Sequence, residues 1–91
     1  VFIPTAFSPD GDGLNDILLV EGNDIAPNNF HLQIFDRWGA KIFDTTDPLQ
    51  GWDGKMDGKV VKNGVYNWML RVQSAYTGIN HDLRGSVTVV N

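Results

Sequence analysis

The chain of 91 residues contains no cysteine, so the fold must depend on side-chain packing or on a bound ion. Zero cysteines suit an oxidising exterior and a reducing cytosol equally well, so this absence leaves the compartment open. The chain also lacks an apolar run of roughly 18 residues, the length that a membrane-spanning helix needs. We therefore expect no insertion into a membrane.

Basic residues are scarce as well. Seven Lys and Arg stand against eleven Asp and Glu, which leaves a formal net charge of −4 at pH 7. Nucleic acids and anionic membranes are bound through basic patches, so we expect neither of them as a partner.

Patterns that support catalysis are missing too. The chain has neither a cysteine nucleophile nor a Gly-x-Ser-x-Gly turn. His31 and His81 have no second histidine or carboxylate at the spacing of a transition-metal site, so a solvated surface role is expected for both. We therefore expect no enzymatic activity.

Size and composition predict one small globular domain that spans residues 1–91. Hydrophobic residues make up 42% of the chain and charged residues 20%, a balance typical of a folded protein. The sequence starts at Val1 in a strand-like run, without an initiator methionine or a signal peptide. We therefore expect a fragment of a longer protein.

Short β-rich runs, separated by Gly, Pro, Asn and Asp, take the place of any helical periodicity. The predicted strands are Val1–Phe7, Ile17–Val20, Phe30–Phe35, Lys41–Asp44, Val60–Val61, Val65–Val72 and Leu83–Val90. This number of short strands predicts an all-β fold, an immunoglobulin-like antiparallel β-sandwich of about seven short strands. Gly85 in the last run predicts a bulge or a bend.

The aromatic residues divide into core and surface candidates. Tyr66 stands two residues after a glycine at the start of a long strand, which fits either a tyrosine corner or an ordinary core position. Trp68 is expected in the core, and Trp52 is expected to pin its loop to the core. Trp38 follows Arg37 in a hairpin turn and is the tryptophan expected to be most exposed. It could stack with Arg37 or serve as an anchor for a partner.

Residues 8–16 read Ser-Pro-Asp-Gly-Asp-Gly-Leu-Asn-Asp, a turn-forming stretch with three carboxylates. Carboxylates this close repel one another and need solvent, backbone donors or a cation. The candidate calcium ligands are Asp10, Asp12, Asn15 and Asp16. Ser8 and Leu19 fall at the first and last positions of an EF-hand loop, where stronger ligands are needed, so the match to that loop is partial. The alternative is a rigid turn whose Asp and Asn side chains cap backbone N–H groups, with no cofactor required.

Several motifs follow one another along the chain in a specific order. They are Phe-Ser-Pro-Asp-Gly-Asp-Gly at 7–13, Ile-Phe-Asp-Arg-Trp-Gly at 34–39, Lys-Ile-Phe at 41–43, Gly-Trp-Asp-Gly at 51–54, Asn-Gly-Val-Tyr at 63–66 and Gly-Ser-Val-Thr-Val-Val at 85–90. In this order they resemble the gliding-motility-associated C-terminal domain, the type B sorting signal of the type IX secretion system. The chain departs from that family in two places: Asp10 stands where Asn is more usual, and the last residue is Asn91 rather than a basic residue.

The resemblance implies a folded targeting domain that has no catalytic activity of its own. Such domains lie at the C-terminus of large adhesins and secreted enzymes of Bacteroidetes-type bacteria. They direct an N-terminally fused passenger through the periplasm and across the outer membrane, to the cell surface or the medium. The implied partners are the type IX outer-membrane translocon and an accessory outer-membrane protein.

Two hypotheses of function remain open. In the first, partners contact Arg37, Trp38 and the terminal strand, where Gly85, Val87 and Val89 would lie on an edge that is open to β-augmentation. In the second, the chain is an extracellular carbohydrate- or adhesion-binding module that uses Trp38 and a calcium site. The second needs an open aromatic platform, for which one exposed tryptophan is thin support.

Overall fold

The structure is a computed structural model that describes residues 3–9, 17–22, 25–26 and 28–90. These residues form seven strands and no helix, so the predicted all-β class is confirmed. The strands are β1 (Ala6–Phe7), β2 (Phe30–Phe35), β3 (Lys41–Thr45), β4 (Lys55–Met56), β5 (Lys59–Val60), β6 (Gly64–Gln73) and β7 (Asn80–Val89). The same residues contain no helix that is long and apolar enough to span a membrane.

Five of the strands form one sheet in the order β1-β7-β6-β2-β3, and β4 pairs with β5 in a separate hairpin. Neighbours in the large sheet run antiparallel, except that β1 runs parallel to the end of β7. The sheet is therefore mixed, whereas the sequence predicts antiparallel pairing throughout. A parallel pair is possible here because most of the chain, rather than a tight turn, connects the two strands.

Alternation of apolar and polar residues decides which face of the sheet is buried. Phe30, Leu32 and Ile34 are buried in β2, and the residues between them are partly exposed. Their direct partners on β6 are Val72, Leu70 and Trp68. Directly opposed side chains share one face of a sheet, so these six residues form one wall of the core. Burial in β2 and β6 therefore follows the alternation of apolar and polar residues in the sequence.

A second layer packs on this wall. Leu18 and Trp52 exchange two backbone hydrogen bonds of 2.8 and 2.9 Å as an isolated bridge. The sequence predicts a strand at Ile17–Val20, but the partner of Leu18 lies in a loop, so the pairing does not extend into a ladder. The β4–β5 hairpin turns through Asp57 and Gly58, whose φ angles of 54° and 81° are the positive values that a two-residue type I′ turn needs.

The predicted strands lack β4 and place β5 at Val60–Val61 rather than at Lys59–Val60. Strand bounds also differ at the two ends of the chain. The strand predicted at Val1–Phe7 is present as Ala6–Phe7, and Val1 and Phe2 lie outside the described residues. The last strand begins at Asn80 rather than at Leu83. Its added residues pair with β6 across the turn that joins the two strands.

Trp52 is the centre of the core. Its side chain is fully buried, and the rings of Phe7, Phe43 and Tyr66 lie 5.3, 6.4 and 5.6 Å from it. The indole N–H donates to the backbone carbonyl of Lys55 at 3.1 Å, so the polar edge of the ring is satisfied inside the protein. The prediction that Trp52 pins its loop to the core is confirmed.

Gly85 has a packing role rather than the predicted one. It pairs with Trp68 in regular register, so the predicted bulge or bend is wrong. A Cβ atom at this position would lie 2.5 Å from Cζ2 of Trp68. Glycine is required because the indole of Trp68, which packs against the core while partly buried, lies directly on the backbone of β7.

Candidate functional site

The turn between β2 and β3 holds Arg37 and Trp38 at the protein surface. The Asp36 carboxylate accepts hydrogen bonds from the backbone N–H groups of Trp38 and Ala40, both at 2.9 Å. Gly39 closes the turn with a φ of 85°, a conformation that residues with side chains rarely adopt. The backbone of the turn is therefore ordered without help from the Arg37 and Trp38 side chains.

Trp38 and Arg37 stack on each other above this turn. The Trp38 side chain is 80% exposed, and the guanidinium carbon of Arg37 lies 5.0 Å from the centre of its ring. A cation–π pair at an exposed site contributes about 0.5–1 kcal/mol. The predicted exposure of Trp38 and its stacking with Arg37 are both confirmed, and little of the ring is packed against the rest of the protein.

A groove of about 400 Å³ separates this turn from β5 and the start of β6. We call it the Trp38 groove, and we define it by its exposed apolar and basic side chains. The apolar ones are Trp38, Met56, Val60 and Val65; the basic ones are Arg37, Lys59 and Lys62. The side chains of Met56, Val60 and Val65 are 45–55% exposed, although valine and methionine are usually buried.

The charge of the Trp38 groove is opposite to that of the whole chain. Three of the seven basic residues of the chain line it, and none of these three forms an ion pair with a described residue. Among the described residues that line the groove, Asp36 alone is acidic, and its carboxylate is bound to the turn backbone. The groove is therefore basic and apolar, on a chain with a net charge of −4.

Tyr66 contacts both the core and one wall of the groove. Its hydroxyl donates to the backbone carbonyl of Lys62 at 2.7 Å, so of the two roles predicted for this residue the structure shows the tyrosine corner. Burial raises the pKa of Tyr66 above its ordinary value; Arg37 opposes this rise and Asp36 adds to it. The hydroxyl is therefore protonated at neutral pH and can donate this bond.

The end of the terminal strand is not the open edge that the sequence predicts. The N–H of Thr88 donates to the carbonyl of Thr5 at 2.8 Å, and the N–H of Val90 donates to the carbonyl of Phe7 at 3.1 Å. These bonds occupy the outer side of β7 where β1 lies beside it. A partner strand cannot pair there without displacing β1.

The residues singled out on this strand also face the wrong way for a partner. Val87 and Val89 are fully buried in the core, and Gly85 is covered by the Trp68 ring. Their positions alternate with Thr88 and Val90, which face β1, so their own N–H groups point toward β6. The prediction that Gly85, Val87 and Val89 lie on an open edge is therefore wrong.

The first half of β7 does have an open side. Between Asn80 and Ser86, no described residue pairs with the side of β7 that faces away from β6. By the same alternation, the N–H groups of Asp82, Arg84 and Ser86 point to that side. This part of the strand could accept a further strand, and its charged side chains are of the kind that keep sheet edges from pairing at random.

The histidines lie at the surface, as predicted. His31 is hydrogen-bonded to Asp44 at 2.7 Å, and His81 is exposed. The Lys41 ammonium, 2.8 Å from Asp44, holds the pKa of that carboxyl below its ordinary value; burial opposes this, and His31 acts in the same direction as Lys41.

The structure leaves the calcium hypothesis untested. The candidate ligands Asp10, Asp12, Asn15 and Asp16 lie outside the described residues. Within the described ranges, no group of three or more His, Cys, Asp or Glu side chains could hold a metal ion. Calcium binding at residues 10–16 stays a prediction.

Sequence reasoning found one side of the Trp38 groove and missed the other. The residues that it missed are Met56, Lys59, Val60, Lys62 and Val65. A partial signal exists in Lys-Met-Asp-Gly-Lys at 55–59, where the Asp-Gly turn sequence predicts a short hairpin with Met56 and Lys59 on either side of the turn. Nothing in the sequence indicates that this hairpin lies beside the Trp38 turn.

Two solved structures resemble this fold. CopC from Methylosinus trichosporium OB3b superposes with a TM-score of 0.63 at 17% identity, over 97% of this chain and 84% of that protein. PorZ, an essential bacterial surface component of the type IX secretion system of Porphyromonas gingivalis, superposes with a TM-score of 0.54 at 18% identity. That match spans 100% of this chain and 11% of PorZ. At these identities the likeness concerns the fold alone, and it confirms the predicted β-sandwich.

The family comparison is more specific than the structural ones. No curated protein matches the chain. The family model for the CHU_C type IX secretion signal domain matches residues 1–89, a range that includes the Asp-rich stretch and the Arg37–Trp38 turn. A signal of this kind marks a protein for export to the cell surface or the medium. The chain therefore belongs to the CHU_C type IX secretion signal domain family.

Proposed function

We propose that this domain directs a larger protein, fused to its N-terminal side, across the outer membrane through the type IX translocon. It acts as a folded targeting signal that partner proteins recognise by direct contact, and it has no catalytic activity of its own. The observation that carries the proposal is the family match over residues 1–89. Family membership does not identify the surface that is read, and for that the structure offers one strong candidate.

The Arg37–Trp38 turn is the contact that we assign to the secretion machinery. Tryptophan and arginine are the residue types that most often dominate binding energy at interfaces. The turn is already ordered by Asp36, so little conformational freedom is lost when a partner binds. The partners are the translocon and an accessory outer-membrane protein, which the passenger meets after it has crossed the periplasm.

A partner that adds a strand would use a different part of β7 from the one that the sequence predicts. It would pair with the open side of Asn80–Ser86, since the end of the strand is already paired with β1. Main-chain hydrogen bonds supply much of the affinity in this mode of recognition.

The test is the export of a fluorescent protein fused to residues 1–91, in a host that carries a type IX system. We expect the unaltered fusion at the cell surface or in the medium, and we expect the double variant Arg37→Ala, Trp38→Ala to be retained in the periplasm. Tyr76→Ala is the control, because Tyr76 is 77% exposed but lies in the connection between β6 and β7, at the far end of the sheet. It should be exported normally.

Periplasmic retention of the unaltered fusion would contradict the targeting role. Normal export of the double variant would instead remove the turn from the contact surface. Deletion of residues 83–91 is not a usable test of recognition, because it would remove Val87 and Val89 from the core and unfold the domain.

A further inference from the structure

The Trp38 groove combines features that a peptide-binding site needs. We propose that it binds an extended acidic segment of a partner protein, whose apolar side chains pack on Trp38 and Val60 and whose carboxylates pair with Arg37, Lys59 and Lys62. This inference rests on the proposed function, because the partner is taken to be a component of the secretion machinery.

The size of the groove favours a strand-like segment. Its volume of about 400 Å³ lies near the lower end of the range for ligand sites, roughly 300–1,000 Å³. That space accepts a few side chains rather than a whole helix. The turn that carries Trp38 forms one wall, and the segment from β5 to Val65 forms the other.

The apolar side chains of the groove indicate a ligand with apolar side chains of its own. Trp38 is 80% exposed and Val65 is 55% exposed, and Met56 and Val60 lie beside them. Exposed apolar side chains that are grouped together, and rimmed by charge, are typical of protein interaction sites. Burial of these side chains against a partner would remove them from water, which is the main source of affinity in such contacts.

The charges of the groove indicate that the ligand is acidic. Arg37, Lys59 and Lys62 have no ion-pair partner among the described residues, and the Asp36 carboxylate is bound to backbone N–H groups. Of the four basic residues outside the groove, Lys41 pairs with Asp44 and Arg71 pairs with Asp82, whereas Lys55 and Arg84 form no ion pair with a described residue. The groove therefore concentrates positive charge that no described carboxylate neutralises, which attracts an acidic ligand.

One of these cations is held in place before any ligand binds. The Arg37 guanidinium stacks on the Trp38 ring and reaches across the end of the groove, where its Nη2 lies 3.9 Å from the position of a Cβ atom on Gly64. At Lys62 the backbone is held, because its carbonyl accepts the hydroxyl hydrogen bond of Tyr66. Preorganised groups lose less freedom on binding than mobile ones do.

A protein segment fits these observations better than a membrane or a nucleic acid. The whole chain carries a net charge of −4, which repels an extended polyanion. A short acidic segment meets only the groove and its three cations. A nucleic acid backbone also offers no apolar side chains for Met56, Val60 and Val65.

The experiment measures the binding of a fluorescein-labelled decapeptide of alternating Glu and Leu to the chain of residues 1–91, by fluorescence anisotropy. Two labelled control peptides have the same length, one alternating Glu with Ser and the other alternating Lys with Leu. We expect the Glu-Leu peptide to bind at least about tenfold more tightly than either control, because both charge and apolar burial contribute. Its affinity should fall as salt is raised.

Substitutions locate the peptide on the surface. Lys59→Glu with Lys62→Glu should weaken binding of the Glu-Leu peptide about tenfold or more, and Trp38→Ala should weaken it several-fold. Arg71→Gln is the control for the loss of a positive charge outside the groove, since Arg71 is exposed and lies six residues beyond Val65 on β6, about 20 Å away. It should leave the affinity within about twofold. None of the substituted side chains is buried, and thermal unfolding of each variant verifies that it is folded.

Several results would overturn the inference. The first is that the Glu-Leu peptide does not bind measurably, or binds no more tightly than the Lys-Leu peptide. The second is that the groove variant and Arg71→Gln change the affinity for the Glu-Leu peptide equally. The third is that the domain binds vesicles of phosphatidylglycerol more tightly than it binds the peptide. If the fusion is exported but the peptide does not bind, the inference fails and the proposed function stands. If the peptide binds but the fusion is retained, the proposed function fails.

Discussion

Trp52 and Trp38 are two tryptophans in one small domain, and their surroundings are opposite. Trp52 is fully buried, has three aromatic neighbours and donates its indole N–H to a backbone carbonyl. Trp38 is 80% exposed and contacts the Arg37 guanidinium above a turn that other groups hold. The difference separates two roles: Trp52 stabilises the fold, whereas Trp38 contributes little to stability and is available to a partner.

The largest expected effect compares these two tryptophans directly. Trp52→Ala should lower the free energy of unfolding by about 3–5 kcal/mol, because it empties the centre of the core. Trp38→Ala should change it by less than about 0.5–1 kcal/mol, the value of the exposed cation–π pair. Urea unfolding of both variants measures the difference. Similar losses in the two variants would show that Trp38 has a structural role.

The second-largest expected effect concerns Trp68, the third tryptophan of the chain, and tests whether its ring belongs to the core. Gly85→Ala should destabilise the protein by about 1–3 kcal/mol, because its Cβ would lie 2.5 Å from the Trp68 ring. Ser86→Ala, at the exposed next position, is the control and should have almost no effect. If Gly85→Ala leaves the free energy of unfolding unchanged, the Trp68 ring can move away from β7, as an exposed ring could.

Tyr66 joins the two regions, since its ring contacts Trp52 and its hydroxyl holds the wall of the Trp38 groove. Tyr66→Phe keeps the ring and removes the hydrogen bond to Lys62, so stability should fall by about 1 kcal/mol. Peptide binding in the groove should weaken as well, while the tryptophan bands of the near-ultraviolet circular dichroism spectrum should be retained, because the ring at position 66 stays against Trp52. Stability equal to that of the unaltered protein would contradict the tyrosine-corner role.

The smallest effect concerns the hairpin that carries Trp38. The pKa of Asp44 is lowered in the folded state, so its stabilising effect is present above the unfolded pKa, about 3.9, and is lost as pH falls through the lower folded value. Asp44 is partly exposed, so Asp44→Asn should lower the free energy of unfolding by less than about 1 kcal/mol at pH 6. Urea unfolding of the unaltered protein and of Asp44→Asn, at pH 6 and again below pH 3, measures this difference, which should disappear at the lower pH. A difference that stays constant would mean that the charge of Asp44 is not involved.

Sequence patterns predicted those parts of this molecule that local chemistry determines. Alternation in β2 and β6 identified their buried faces, and the hairpin turn indicated that Trp38 is exposed. The Gly-x-Tyr element pointed to the Tyr66 hydrogen bond, although an ordinary core position fitted the sequence equally well.

The features that sequence patterns missed depend on contacts between distant parts of the chain. The alternation in β7 predicts a strand, but it cannot show that β1 pairs with the end of that strand, because the two lie at opposite ends of the sequence. The Trp38 groove depends on the approach of the β4–β5 hairpin to the Arg37–Trp38 turn, and local patterns carry no information on that distance. The family resemblance identified the family of the chain, but it gave no information on which surface a partner contacts.

In the proposed function, export depends on an exposed turn that the fold does not need. The most direct measurement is the exported fraction of a fusion that carries Trp38→Ala, made beside its free energy of unfolding. We expect a free energy of unfolding within about 1 kcal/mol of that of the unaltered domain, together with retention of the fusion in the periplasm. Normal export of a stable Trp38→Ala fusion would show that export does not depend on Trp38.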